Sequence, residues 1–175
     1  MDALLETARE GHSDPMTKDE VLADTRYTGP HRFQMEGWIS CAPFERLLNM
    51  KILEAADGRA ILTMPFYLDY AQGGGLMHGG ALVSLADTAV VMAIKSILPP
   101  LSHFATILLQ SQFLAPVKQG MVTAKARLVH REGRILKGRA EISDYEGRVV
   151  VEFSSTFKVA KDTTIRGVVF PEGEA

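Results

Sequence analysis

The sequence predicts an α+β fold in which one long central helix is wrapped by a curved antiparallel sheet of about five or six strands. Two observations predict it. Residues 79 to about 98 are apolar on nearly every side, which is the pattern of a helix that is buried all round. In the second half of the chain, apolar residues recur at every second position in segments separated by short turns, which is typical of antiparallel strands.

Composition and charge indicate a globular domain. The chain has 175 residues, of which 46% are hydrophobic and 23% charged, and its net charge is −2 at pH 7. This balance gives no sign of a nucleic-acid-binding surface. No apolar run reaches the roughly 18 residues that cross a membrane, and the mixed, acidic start MDALLETAREG is unlike a secretory signal. We therefore expect a cytoplasmic protein with neither nucleic acid nor membrane as a partner.

The chain divides into three predicted segments. Residues 1–40 are polar and interrupted by glycine and proline, so we expect a partly helical N-terminal extension. Within it, TKDE at 17–20 fits a capping box before a short helix. The domain itself is expected at 41–160, and a polar tail at 161–175.

The predicted strands follow one another along the domain. KILEAADGRAILTMPF, from residue 51, predicts a strand, an Asp-Gly turn and a second strand. The helix comes next and ends at Pro99-Pro100. Segments with a period of two then predict four strands, at 106–115, 122–128, 134–143 and 148–159. Because the turns between these four are short, we expect an antiparallel meander.

The densest glycine cluster, AQGGGLMHGG at 71–80, lies directly before the helix. Such a loop can bind phosphate, but the Gly-Lys-Ser/Thr of a P-loop is absent, and His78 occupies the last glycine position of the dinucleotide pattern. The five histidines are scattered without ligand spacing, and Cys41 is the only cysteine. We therefore expect neither a nucleotide fold nor a metal site.

Gly79 and Gly80 give the start of the helix a chemical possibility. The first helical N–H groups lack intrahelical acceptors, and glycine lets another molecule approach the backbone closely. A carbonyl oxygen could accept hydrogen bonds there, as in an oxyanion hole. The alternative is a tight turn with His78 as a helix cap.

Asp87 is the one acidic residue inside the apolar helix. It lies eight residues after Gly79, about 12 Å along a helix, so the two groups cannot act on one carbonyl within a single chain. If two helices lie antiparallel across a two-fold axis, Asp87 of one chain can meet Gly79 of the other, and the site belongs to a dimer. The alternative is a carboxylate on an exposed helix edge, shared with Ser84, Thr88 and Lys95.

HGGALVSLAD, from His78 to Asp87, resembles the signature of hotdog-fold acyl-CoA thioesterases, and is most similar to the 4-hydroxybenzoyl-CoA and phenylacetate-degradation branches. The resemblance covers about residues 43–159. It implies a hydrolase that cleaves an acyl-CoA thioester to a carboxylic acid and CoA without a cofactor. Two other functions stay open: a hotdog protein that binds acyl-CoA without hydrolysing it, and a hotdog dehydratase or hydratase.

The resemblance also implies roles for individual residues. Gly79 would donate its backbone N–H to the thioester carbonyl, and Asp87 would attack it or activate water. Gln72 lies where many members have Asn, and Thr106 lies where some have a Ser that orients water. His78 completes the set of candidate catalytic residues.

Further residues are expected at the substrate. Gly80 is expected beside the thioester. Arg131 and Arg134, in the turn HREGR, lie where members of the family bind the CoA phosphates, although exposed charge in a turn is the alternative reading. Five apolar residues could line an acyl tunnel or simply the core: Met64, Phe66, Met77, Leu82 and Phe113. Since a single curved sheet leaves edges to cover, we expect a homodimer with a continuous sheet or a dimer of dimers.

Overall fold

The computed structural model describes residues 33–161, together with Thr17 and Asp19. Most of the predicted N-terminal extension, including the helix expected after residues 17–20, lies outside the described residues. The predicted tail lies outside them too, apart from Lys161. No helix in the described part of the chain is long and apolar enough to cross a membrane.

Residues 33–161 contain two α-helices and six strands. Helix α1 spans Pro43–Leu47, and helix α2 spans Gly79–Lys95. A single 3-10 turn at Leu68–Tyr70 precedes α2. The strands are β1 (Lys51–Ala56), β2 (Arg59–Pro65), β3 (Phe104–Phe113), β4 (Met121–Glu132), β5 (Ile135–Ser143) and β6 (Val149–Val159).

The six strands form one antiparallel sheet in the order β1-β2-β4-β5-β6-β3, which confirms the predicted fold class. The Asp-Gly turn between β1 and β2 is also confirmed. Asp57 and Gly58 have φ angles of 49° and 73°, as a type I′ hairpin turn requires.

The predicted four-strand meander is wrong in its first strand. β4, β5 and β6 are consecutive neighbours, but β3 pairs with β6 at the edge of the sheet. Residues 114–120 carry the chain back across three strand spacings, roughly 14 Å. Seven residues span at most about 23–25 Å when extended, so a connection of this length allows adjacent pairing without imposing it.

Helix α2 packs against the inner face of the sheet. Its buried residues are Leu82, Leu85, Ala86, Thr88, Ala89, Val90, Met92, Ala93 and Ile94. On the strands, inward-facing residues such as Leu62, Ile142 and Phe157 complete the core. Gly138 of β5 lies directly under the helix, and a Cβ at this position would overlap the side chain of Val90. Glycine therefore permits the close approach of helix and strand.

The prediction that the helix is buried all round is wrong for a single protomer. Gly80, Ser84, Asp87, Val91 and Lys95 are half-buried or exposed. Their spacing places them on one side of the helix. We call these five residues the open stripe of α2.

Helix α2 also ends about three residues earlier than predicted. The Ser96 hydroxyl donates to the Ala93 carbonyl at 2.7 Å and accepts the Gly58 N–H at 2.9 Å. The second bond joins the end of the helix to the β1–β2 turn. A contact between distant parts of the chain therefore stabilises this end.

Candidate active site

Asp87 and Thr106 meet where α2 passes the first part of β3. The Thr106 hydroxyl donates to the carboxylate, with Oγ1 at 3.1 Å from Oδ2 and 3.5 Å from Oδ1. Burial raises the pKa of Asp87 above its usual value, and the hydrogen bond from Thr106 lowers it and limits the rise. The result is a more basic carboxylate than an exposed aspartate provides.

Gly79 is the first residue of α2, and its N–H forms no hydrogen bond with any described residue. The ring of Phe113 lies against it: a Cβ at Gly79 would be 3.1 Å from Phe113 Cζ. Phe113 is the last residue of β3. The free amide and the Asp87 carboxylate are therefore associated with opposite ends of the same edge strand.

His78 caps the helix. Its Nδ1 accepts a hydrogen bond from the Gly80 N–H at 2.9 Å. Because Nδ1 is the acceptor, the neutral ring carries its proton on Nε2. The Gly80 amide is thus occupied within the protein, which leaves Gly79 as the free donor of the glycine pair.

Gln72 lies in a tight loop before the cap. Its Oε1 accepts the Gly74 N–H, and its backbone N–H donates to the Leu76 carbonyl. A bridge between Ala71 and Met77 closes the loop. Within residues 33–161, Gln72 forms no hydrogen bond with Asp87 or Gly79, so a single chain does not bring this residue into their site.

The two arginines predicted at the CoA phosphates lie in the β4–β5 hairpin and are exposed. Arg134 Nη1 donates to the Val159 carbonyl at 3.1 Å. Val159 pairs with Phe104, two residues before Thr106, so Arg134 lies at the same end of the sheet as Thr106. Arg131 forms no side-chain hydrogen bond or ion pair with the described residues.

A cleft of about 250 Å³ beside the helix N-terminus was not predicted. Its lining includes Phe44 from α1, Tyr70 from the 3-10 turn, and His78, Gly80 and Ser84. Phe44 and Tyr70 lie outside the motif HGGALVSLAD, which contains the other three residues, so the motif could not predict the whole lining. Of the proposed tunnel residues, Met64, Met77 and Leu82 are buried in the core, Phe66 is half-buried, and Phe113 is 53% exposed beside Gly79.

One hydrogen-bond network fixes a wall of this cleft. The Tyr70 hydroxyl donates to the Leu47 carbonyl at 2.8 Å and accepts from Asn49 Nδ2 at 2.7 Å. It ties the end of α1 to the 3-10 turn. The cleft opens beside the open stripe of α2, through Gly80 and Ser84.

Comparisons with known proteins bear on this arrangement. Residues 74–151 match the family model of the thioesterase superfamily. This range contains Gly79, Asp87 and Thr106. A curated relative from Halobacterium salinarum, named "Putative esterase", is 33% identical over 128 residues, which cover 66% of this chain and 83% of the relative.

Two solved structures show the same architecture. The phenylacetic acid degradation protein PaaI from Thermus thermophilus is 29% identical with a TM-score of 0.62, and the alignment covers 67% of this chain and 98% of that one. A hypothetical thioesterase from Streptococcus pneumoniae, solved with coenzyme A, shares the fold at 24% identity with a TM-score of 0.60. That alignment covers 64% of this chain and 86% of the pneumococcal chain.

The helix wrapped by a curved antiparallel sheet is the hotdog fold of thioester-cleaving enzymes. This chain belongs to the thioesterase superfamily, and it is a thioester hydrolase. The family resemblance of HGGALVSLAD is thereby confirmed.

Proposed function

We propose that this protein hydrolyses acyl-CoA thioesters at a site shared by two copies of the chain, where Gly79 of one copy and Asp87 of the other act on one thioester. One observation carries the proposal. Asp87 is bound to Thr106 in the first part of β3, whereas Gly79 lies against Phe113 at its last residue. The two groups are about 12 Å apart along the helix, too far to share a carbonyl within one chain.

Antiparallel pairing of β3 with β3 of a second copy would bring the two groups together. Ile107 is an extra residue in β3, so a two-fold axis through Gln110 would place Thr106 opposite the partner's Phe113. The Asp87 carboxylate, bound to Thr106, then comes beside the amide that lies against that phenylalanine ring.

The same two-fold axis agrees with the positions of Gly79 and Asp87 on α2. Val83 lies midway between Gly79 and Asp87, so the two α2 helices would cross near Val83 and Ser84. The open stripe of one copy would then face the open stripe of the other. The small residues Gly80 and Ser84 would allow the two helices to approach closely. This contact would complete the burial that the sequence of the helix predicts.

β3 is an edge strand, so in a single copy one of its sides has no strand paired with it. β3 is ten residues long, and Ile107 and Leu109 are 55% and 43% exposed. Long apolar edges of this kind are templates for pairing with another chain. A second copy supplies a strand of matching length, and we therefore propose a homodimer with a continuous sheet.

The proposed chemistry uses these groups directly. The thioester oxygen accepts the Gly79 N–H, and the helix N-terminus stabilises the negative charge that develops on this oxygen. In one route, Asp87 takes a proton from water while the water oxygen adds to the carbonyl carbon, and the C–S bond of this adduct then breaks to give the acid. In the other, the carboxylate attacks that carbon itself, the C–S bond breaks to leave an acyl-Asp87 anhydride, and water hydrolyses the anhydride to the acid and free Asp87. In both routes the thiolate leaves without a strong acid because it is a stable anion.

Two observations support CoA as the carrier of the acyl group. The pneumococcal protein of the same fold binds coenzyme A. In addition, the exposed Arg134 is held at the end of the sheet where β3 begins, and a guanidinium there can pair with phosphate.

The first experiment gives the purified protein a panel of aromatic and of short, medium and long aliphatic acyl-CoAs, with a thiol-reactive dye as the readout. We expect thiol release, and we expect Asp87→Asn to abolish it while CoA binding remains. Binding of every acyl-CoA without thiol release by the wild-type protein would instead indicate a binding protein.

A mixing experiment tests the shared site. Asp87→Asn and Gly79→Pro chains are each expected to be inactive alone. In a randomly mixed population, half of the dimers contain one chain of each kind, and each of these has one intact site. About a quarter of the wild-type activity should therefore return. Absence of any regain, with mixed dimers present, would contradict a site made from two copies.

A further inference from the structure

The outer face of the sheet, on the side away from α2, carries a row of hydrogen-bond donors. Arg59, Arg127 and Arg139 occupy directly paired positions on β2, β4 and β5. Ser154 and Gln110 continue the same row on β6 and β3. We call the first three residues the arginine row.

No carboxylate in the described part of the chain pairs with the arginine row. All three side chains are exposed, and within the described part of the chain none forms an ion pair or a hydrogen bond. Strand spacing places Arg59 and Arg139 about 10 Å apart, with Arg127 between them. Like charges directly opposite each other destabilise a sheet, so a bound anion would relieve a cost built into this surface.

The row borders a groove of about 800 Å³, a size common among small-molecule sites. Lys125 adds a fourth cation to the lining. Glu54, Glu141 and Glu152 also line the groove, but they form no ion pair with the arginines. Each guanidinium offers a planar set of donors that matches the oxygens of a phosphate.

We propose that the arginine row binds an anion with two adjacent phosphate groups, whose attached sugar and base extend towards Ser154 and Gln110. Free nucleoside diphosphates and the nucleotide end of CoA share this chemistry. The row lies on the opposite face of the sheet from Asp87, so binding there does not depend on the proposed hydrolysis.

Calorimetric titration with ADP and with pyrophosphate tests the proposal. We expect wild-type protein to bind both, with an affinity that falls as salt rises, and Arg127→Gln to weaken both at least about tenfold. Lys158→Gln is the matched control, because it removes an exposed cation of β6 outside the row and should leave the affinity unchanged. Asp87→Asn should also leave it unchanged.

Competition distinguishes the two sources of the ligand. If the site takes the nucleotide end of CoA, CoA displaces ADP. If it takes only a free nucleotide, CoA does not displace ADP. Either result supports a diphosphate site on this face.

Two results would overturn the proposal. The first is that the wild-type protein binds neither ADP nor pyrophosphate, or that it binds them with the same affinity as Arg127→Gln. The other is a change in assembly mass in Arg127→Gln without any anion binding, which would make the row a contact between copies. Folding of the variant is checked by its melting temperature, which should equal or exceed that of the wild type because repulsion is removed.

Discussion

The Thr106 hydroxyl lies 3.1 Å from Asp87 Oδ2, so a strand residue and a helix residue separated by 19 positions share one hydrogen bond. The bond holds the carboxylate on the open stripe of α2 at a defined position. It also opposes the effect of burial on the Asp87 pKa.

Thr106→Val should shift the acid side of the pH–rate profile to higher pH. Burial raises the pKa of Asp87, and loss of the hydroxyl removes the interaction that lowers it. In the proposed mechanism the ionised carboxylate is the reactive form, so we expect activity to be lost as pH falls through this raised pKa. Thr106→Ser keeps the hydroxyl and should keep the wild-type profile. If Thr106→Val and Thr106→Ser have the same pH–rate profile, the hydrogen bond does not set the pKa of Asp87.

Asp87→Asn should be at least as stable as the wild type at neutral pH. A carboxyl group whose pKa is raised by folding favours the folded state below its unfolded pKa, and this contribution disappears as pH rises through the folded pKa. Removing the ionised group therefore relieves a cost above that pH. Chemical denaturation at pH 7 and near pH 4 checks this. A lower unfolding free energy of the variant at pH 7 would argue that Asp87 is structural.

Gly79→Pro should remove the proposed oxyanion donor without breaking the helix. Proline is favoured at the first helical position, and His78 has ψ of 133°, the extended conformation that precedes proline readily. We expect kcat to fall about 10²–10³-fold. Gly79→Ala is the control, because it also places a Cβ against Phe113 but keeps the N–H. If both variants lose the same activity, the cause is steric rather than the missing donor.

Leu109→Lys should separate the proposed dimer. The substitution puts a charge at the centre of the apolar edge strand, where like charges from two copies would meet. We expect a lower mass by light scattering and loss of thioesterase activity in the same concentration range. Leu53→Lys, on the opposite edge strand β1 where Leu53 is 63% exposed, should change neither. An active monomer would contradict the shared site.

Gly138→Ala should destabilise the domain by about 1–3 kcal/mol, because its Cβ would overlap Val90 in a closely packed core. The double variant with Val90→Ala should recover part of this loss, since the smaller residue leaves space for the new methyl group. Urea denaturation of the four proteins measures the coupling. Additive losses would show that the two positions do not compete for the same space.

Local pattern explains what could be predicted at the site. His78, Gly79 and Asp87 lie within ten consecutive residues, so one short segment predicted both the family and these candidate catalytic residues. The choice between Gly79 and Gly80 as free donor could not be made in the same way. It depends on the orientation of the His78 ring, which caps Gly80 rather than Gly79.

The sequence by itself determined the helix, the six strands, the Asp-Gly hairpin and the family, because side-chain periodicity and short motifs are properties of neighbouring residues. Only the tertiary structure decided that β3 lies at the sheet edge beside β6, that Thr106 binds Asp87, and that one side of α2 stays uncovered. These features depend on which distant segments pack together, and a connection such as 114–120 is long enough to permit more than one answer.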